Sequence, residues 1–122
     1  MTVKKIRYST GRMPWPIRAV QLDLARHMET LDYICRYADF AAKHGFNFLV
    51  LYLEGRVKTK SFPYLANAES YSLKDMQQVV RHAGLAGMEV VPVVSTLGHG
   101  EQFLACKQLA HLAEERYGKA RF

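Results

Sequence analysis

Three short stretches of the chain are apolar on both alternating faces and end abruptly in polar residues. They run from Ile17 to Leu24, from Phe46 to Leu53 and from Met88 to Val94. Strands that are buried on both faces of a parallel sheet have this continuous apolar character, whereas half-exposed strands alternate. The pattern therefore predicts three parallel strands, each followed by a polar turn.

The segments that follow these strands have the period of amphipathic helices. Apolar residues recur at spacings of three and four from Met28 to His44, after Ser72, and from Glu101 to Arg116. Gly45 and Gly87 are suited to end the first two helices, because glycine readily adopts the left-handed conformation that closes a helix. The alternation of strand and helix predicts an α/β fold with a parallel sheet and right-handed crossovers.

Two architectures begin with this order of elements, namely a doubly wound sheet and a (β/α)₈ barrel. The first strand is not followed by the glycine-rich phosphate turn of a dinucleotide-binding fold. A complete barrel needs about 250 residues, and this chain has 122. The sequence therefore has room for less than half of a barrel.

Composition narrows the class of protein. Hydrophobic residues make up 49% and charged residues 23%, as in soluble globular domains. The apolar runs are too short to span a bilayer, so no membrane partner is expected, and no signal-peptide pattern begins the chain. We therefore expect a cytoplasmic location. The net charge of +6 favours a solvated basic surface over a nucleic-acid partner, because no nucleic-acid-binding module accompanies it.

Cysteine and histidine spacing gives no indication of a metal site or other cofactor. Cys35 and Cys106 fall in different predicted helices, outside any CxxC or mixed cysteine–histidine pattern. No two histidines have the four-residue helical spacing of a zinc-binding motif. We expect both cysteines to be buried free thiols.

Polar residues follow each predicted strand and are the candidates for a functional site. The carboxyl ends of parallel strands lie at one edge of a sheet, where α/β proteins place their chemistry. Each residue also has an ordinary interpretation: a local ion pair, a solvated histidine or a loop charge. Together, an arginine, two carboxylates and a histidine suit a polyhydroxylated ligand, because they make directional hydrogen bonds to hydroxyl groups. The predicted ligand-binding residues are Asp23, Arg26, Glu54 and His99.

Four segments resemble motifs of the family-twenty glycoside hydrolases, the β-N-acetylhexosaminidases. Leu22–His27 resembles the first-strand motif, and Ser61–Tyr64 has a counterpart in the loop after the second strand. Tyr71–Asp75 is similar to the helix start before the third strand, and Val90–His99 to that strand and its histidine turn. The resemblance extends over residues 18–115 in the family's order, and it is to the hexosaminidase D-like branch in particular.

The resemblance implies a fold class and a reaction. The fold is a partial (β/α)₈ barrel made of the first three β/α units, with residues 1–16 as an extended lead-in and 17–122 as part of the catalytic barrel. The family removes terminal N-acetylhexosamines with retention, and the substrate's acetamido carbonyl is the nucleophile. An adjacent aspartate and glutamate after the fourth strand orient the acetamide and donate the proton. No Asp-Glu pair occurs in this sequence, so no catalytic residue is expected in it.

The resemblance also assigns roles to individual residues. Arg26 matches the arginine that holds sugar hydroxyls, Asp23 matches its neighbour, and His99 matches the histidine of the third-strand turn. This sequence departs from many members at Ser95, where they have an acidic residue, and also at Val93 and Leu97.

The expected function is therefore that of an N-terminal part of a β-N-acetylhexosaminidase-like enzyme that binds an N-acetylhexosamine-containing glycan or glycoside. The alternative is a non-catalytic half-barrel that binds carbohydrate or a partner. Either way, an open half-barrel exposes apolar strands, so we expect self-association or a missing C-terminal half of the barrel. The residues expected on the uncovered inner face are Val20, Leu22, Leu49, Leu51, Val91 and Val93.

Overall fold

A computed structural model describes residues 15–61, 63, 69–96 and 98–113. Its strands are β1 (Ala19–Asp23), β2 (Phe48–Tyr52) and β3 (Glu89–Val93). They are parallel and lie in the order β1-β2-β3. The helices are α1 (Leu31–Lys43), α2 (Leu73–Leu85) and α3 (Glu101–Leu104), and a short 3₁₀ helix spans Ala110–Leu112. The predicted α/β fold, with three β/α units and a parallel sheet, is confirmed.

The two long helices begin and end at residues that the sequence favours there. The Thr30 hydroxyl accepts a hydrogen bond from the N–H of Tyr33 at 3.2 Å, which caps α1. Ser72 and Asp75 exchange hydrogen bonds at 3.1 and 2.7 Å in a complete capping box at the start of α2. Gly45 and Gly87 follow the helices with φ of 87° and 79°, a conformation that glycine adopts without steric cost.

The core lies between one face of the sheet and the two long helices. Leu49 and Leu51 of β2 are fully buried, together with Ile34 of α1 and Val79 of α2. Every second residue of a strand points to the same face, so the residues paired with Leu49 in the register, Val20 and Val90, also pack against this core. The helices therefore cover the face that would be the outside of a barrel.

The opposite face of the sheet is the uncovered one, and the prediction of its residues was partly wrong. In the register, the rows through Phe48, Val50 and Tyr52 alternate with the buried rows, so Val91 and Val93 lie on the open face as predicted. The other four predicted residues lie on the helix side, because they alternate with the open-face rows and pack in or against the core. These residues are Val20, Leu22, Leu49 and Leu51.

The expectation of a long third helix was also wrong. The predicted helix from Glu101 to Arg116 is limited to the single turn of α3 and a separate 3₁₀ turn, and residues 114–116 lie outside the described range. None of the residues of these two short helices is buried, and most helical stability in proteins comes from packing an apolar face. Trp15, in the predicted lead-in, is 70% exposed, and residues 1–14 lie outside the described residues.

No helix among the described residues is long and apolar enough to cross a membrane.

Candidate functional site

The carboxyl ends of the three strands form one edge of the sheet, and their last residues lie side by side. Asp23 pairs with Tyr52 across β1 and β2, and Tyr52 pairs with Val93 across β2 and β3. Because the three residues share a row on the open face, the loops that follow them start from neighbouring positions. The predicted ligand-binding residues lie at this end or in these loops.

Asp23 shapes the turn that carries Arg26. Its Oδ1 accepts hydrogen bonds from the main-chain N–H groups of Ala25 at 3.1 Å and Arg26 at 3.0 Å. An aspartate that bonds the backbone two and three residues ahead stabilises a turn. The contact of Asp23 with Arg26 is thus to the main chain, and the Arg26 residue is exposed to solvent.

The loop after β2 holds the same turn from the other side. The Arg56 guanidinium is 24% exposed and donates from Nη2 to the carbonyl oxygen of Ala25 at 3.1 Å. The other terminal nitrogen of Arg56, Nη1, lies 3.9 Å from the Glu69 carboxylate. The Ala25 peptide groups are therefore bonded at both N–H and C=O, by Asp23 and Arg56 respectively, immediately before Arg26.

Tyr71 makes a second connection between these loops. Its hydroxyl donates to the main-chain carbonyl of Glu29 at 2.6 Å, and the residue is only 4% exposed. Burial raises the pKa of the Tyr71 phenol above its usual value of 10.0, so the hydroxyl keeps the proton that it donates. The main chain of Tyr71 also bonds Arg56 and Lys58 at 2.8 Å, which closes the base of the long loop between β2 and α2.

Glu54 lies where the loops after β2 and β3 meet. Its Oε1 accepts from the Tyr52 hydroxyl at 3.0 Å, and its Oε2 accepts from Nε2 of Gln102 at 2.7 Å. The backbone of Glu54 has a φ of 43°, which is uncommon for a residue other than glycine, asparagine or aspartate. Glu54 is therefore bonded to the end of β2 and to α3 rather than being a solvated loop charge.

His99 lies in the turn between β3 and α3. It is exposed, and its φ of 57° is also left-handed. Gly100 follows as the N-terminal cap of α3, so the helix that carries Gln102 begins directly after the histidine. His27, which lies in the turn after β1, has its Nε2 3.7 Å from the Glu29 carboxylate and is largely exposed.

The structure thus places Asp23 at the end of β1, and Arg26, Glu54 and His99 in the three loops at the same end of the sheet. Hydrogen bonds connect the first loop to the second and the second to the third. Three residues that make these connections, Arg56, Tyr71 and Gln102, were not among the predicted site residues, nor was Tyr52, which bonds Glu54. A polar-tipped aromatic residue at the end of an apolar strand and a glutamine in the first turn after His99 were the available signals.

The two cysteines lie in different environments. Cys35 is 8% exposed on α1, and burial, followed by nearby Asp39 and Asp32, raises the pKa of its thiol. Cys106 is half-buried rather than buried, and its Sγ lies 3.4 Å from the carbonyl oxygen of Gln102. Among the described residues, no group of three histidine, cysteine, aspartate or glutamate side chains is placed to hold a metal ion.

The sheet, the outer helices and the polar strand ends define a segment of an α/β barrel with a candidate ligand site at its carboxyl edge. Comparison with known proteins agrees with this class. Human hexosaminidase D is 31% identical over 111 aligned residues, and the match covers 86% of this chain and 22% of that protein. Mouse β-hexosaminidase subunit β is 31% identical over 102 aligned residues, and the match covers 73% of this chain and 18% of that protein. No family model matches the chain.

Solved structures give the same result for the fold. The family 20 β-N-acetylhexosaminidase from Streptomyces coelicolor A3(2) superposes with a TM-score of 0.70 and 28% identity, covering 76% of this chain and 22% of that one. The β-N-acetylhexosaminidase from Bacteroides fragilis NCTC 9343 superposes with a TM-score of 0.68 and 26% identity, covering 75% and 22%. The resemblance to the family 20 glycoside hydrolases is therefore confirmed in sequence and fold. The chain spans about a fifth of the length of the curated relatives it matches.

Proposed function

We propose that this chain provides the first three β/α units of a β-N-acetylhexosaminidase-like glycoside hydrolase. In this proposal it binds a terminal N-acetylhexosamine of a glycan or glycoside, and the reaction is retaining and substrate-assisted. The observation that supports it most is that two of the matched motifs, Leu22–His27 and Val90–His99, end in the loops at the carboxyl edge of the sheet. The other support is the name shared by the relatives.

The chemistry of the strand ends suits a sugar. A guanidinium offers five N–H donors in a fixed plane and a carboxylate is an acceptor, so Arg26 and Glu54 can together satisfy neighbouring hydroxyl groups. Asp23 contributes through the turn, because its carboxylate is bonded to the main chain of Ala25 and Arg26. His99, exposed in the adjacent turn, completes the set that we propose for substrate binding.

The proton donor is proposed to come from outside the three β/α units. General acid catalysis requires a protonated group within hydrogen-bond reach of the leaving oxygen. Of the two carboxylates proposed for the site, Asp23 is bonded to the main chain of its own turn. Both oxygens of the other, Glu54, already accept hydrogen bonds. The open face of the sheet also requires cover, because exposed apolar areas of this kind are rare in monomers. We propose that further barrel strands or a second copy cover it.

An activity assay and a binding assay together test the proposal. The purified chain should release no chromophore from an aryl N-acetylglucosaminide; release that Glu54→Gln abolishes would contradict the assignment of the acid to another segment. In a titration with N-acetylglucosamine, Arg26→Ala should weaken binding strongly, since it removes several donors at once. Arg36→Ala is the matched control, because Arg36 lies on α1 and pairs with Asp32 at 2.8 Å. Equal effects of the two variants would remove Arg26 from the site.

A further inference from the structure

The contacts of Glu54 raise the question of how its carboxylate is oriented. Glutamate has three rotatable side-chain bonds, and a free carboxylate at the edge of a sheet would sample many directions. Here the two oxygens are bonded to different elements: Oε1 to the hydroxyl of Tyr52 on β2, and Oε2 to the amide of Gln102 on α3. Two bonds from separate elements define the plane of the carboxylate.

The two donors approach from positions that the sheet topology sets. Tyr52 is the last residue of β2 and lies on the open face, in the same row as Asp23 and Val93. Gln102 is the second residue of the helix that follows the His99 turn. The carboxylate is therefore held between the residue that ends β2 and the helix that follows the His99 turn.

The backbone of Glu54 indicates that this orientation is maintained at a cost. A left-handed φ of 43° is unfavourable for a residue with a Cβ, and such residues persist only where surrounding contacts determine them. The neighbouring residue in the loop is Gly55, which could adopt the same conformation freely. The strained conformation thus falls on the residue whose side chain makes the two bonds.

We propose that Tyr52 and Gln102 are positioning residues that orient the Glu54 carboxylate toward a sugar hydroxyl. This inference rests on the proposed function. Each carboxylate oxygen has two acceptor positions, and one of each is occupied by the protein. The remaining positions accept hydrogen bonds from the ligand. Gln102 also connects the β2 loop to the helix after His99, so the spacing between Glu54 and that turn depends on the same contact.

The first experiment uses the free chain without ligand. The side-chain NH₂ protons of Gln102 should have nuclear magnetic resonance signals that are shifted and exchange slowly with water, and Glu54→Ala should abolish both properties. Gln108, an exposed glutamine in the turn after α3, provides the internal reference. A Gln102 signal that resembles that of Gln108 in the unsubstituted chain would overturn the inference, whatever the chain binds.

The second experiment measures N-acetylglucosamine binding by titration. Gln102→Glu and Tyr52→Phe should each weaken binding by about two- to tenfold, the usual effect of losing one hydrogen bond. Gln102→Lys retains a hydrogen-bond donor and should bind nearly as well as the unsubstituted chain. If Gln102 had a merely structural role, Gln102→Glu and Gln102→Lys would weaken binding equally. Gln108→Glu is the matched control and should not change the binding of N-acetylglucosamine. Because Gln102 is exposed, its two substitutions should change the thermal stability of the chain little.

The outcomes separate the two proposals. If the unsubstituted chain binds and Gln102→Glu binds equally well, the positioning role is wrong and the sugar site remains. If the Gln102 signals are shifted as expected but the unsubstituted chain binds no N-acetylglucosamine, the sugar-binding function assigned to this chain is wrong. The ligand role of Tyr52 and Gln102 then fails with it.

Discussion

The Arg56 guanidinium donates a hydrogen bond to the carbonyl oxygen of Ala25 at 3.1 Å, across 31 positions of the chain. This bond and the two that Asp23 accepts hold the peptide groups directly before Arg26. Arg26 itself is exposed, so its direction depends on the main chain that carries it. The order of the turn therefore depends on a residue of the neighbouring loop.

Replacing Arg56 should loosen this turn. Arg56→Met keeps much of the side-chain volume but leaves the carbonyl of Ala25 without its donor, so we expect trypsin to cleave after Arg26 several times faster. Cleavage is measured by mass spectrometry on the full chain. Lys58→Met changes an exposed cation of the same loop and should leave the rate unchanged. Equal rates for Arg56→Met and the unsubstituted chain would mean that the bond does not order the turn.

Leu49 should be one of the most sensitive core positions. It is fully buried in the central strand, between β1 and β3 and beneath the helices. Leu49→Ala removes buried methyl groups and leaves a cavity, so the free energy of unfolding should fall by about 2–5 kcal/mol. Leu85→Ala, at a residue that is 91% exposed, should change it by less than about 0.5 kcal/mol. Urea denaturation of the two variants makes the comparison, and similar losses would contradict the described core.

The capping box of α2 should make stability depend on pH in the acid range. Hydrogen bonds from the backbone and side chain of Ser72 lower the pKa of the Asp75 carboxyl below its usual value of 3.8. A group with a lowered pKa in the folded state stabilises the fold above its unfolded-state pKa, and that contribution is lost as pH falls through the folded-state value. Asp75→Asn should therefore be less stable than the unsubstituted chain near neutral pH, and the difference should shrink below pH 3.8.

Denaturation curves between neutral pH and about pH 2.5 check this prediction. Ser72→Ala removes the partner and should lower stability at neutral pH by about 1 kcal/mol. Ser61→Ala, at an exposed loop serine, should be neutral. A difference between the Asp75 variant and the unsubstituted chain that grows as pH falls would have the wrong sign and would contradict the assignment.

The open face of the sheet should drive self-association of the isolated chain. Val50 and Val91 are paired at the centre of this face and do not belong to the core between sheet and helices. Val91→Lys places a charge there and should reduce association, because a charge buried without a partner is costly. Leu85→Lys, on the exposed surface of α2, is the control. Light scattering over a range of concentrations measures the effect; a monodisperse monomer in the unsubstituted chain would contradict the prediction.

One of the two edge strands of the described sheet is poorly suited to pairing with another strand. Within the described sheet, β1 and β3 are the edge strands, and β3 contains Pro92, which has no N–H to donate. Face-to-face packing through the row of Val50 and Val91 is therefore the route of association that we expect.

The amino-acid sequence by itself determined the order of elements and the ends of the long helices. Apolar runs and helical periods are local properties, and the capping box at Ser72 and the stop at Gly45 depend on groups within a few residues of each other. The same local patterns gave a wrong prediction where the length of a helix depends on its packing. The period after Glu101 resembles a long helix, but its residues lack the buried contacts that would sustain one.

The tertiary structure alone decided which side of each strand is covered and how the polar ends are connected. An apolar run has no preferred face by its pattern, so only the helices on one side distinguished Leu49 from Val50. Nothing local relates Glu54 to Gln102, because they are brought together only when parallel strands align their carboxyl ends. Hydrogen bonds between distant loops require a defined register, and register is a property of the assembled sheet.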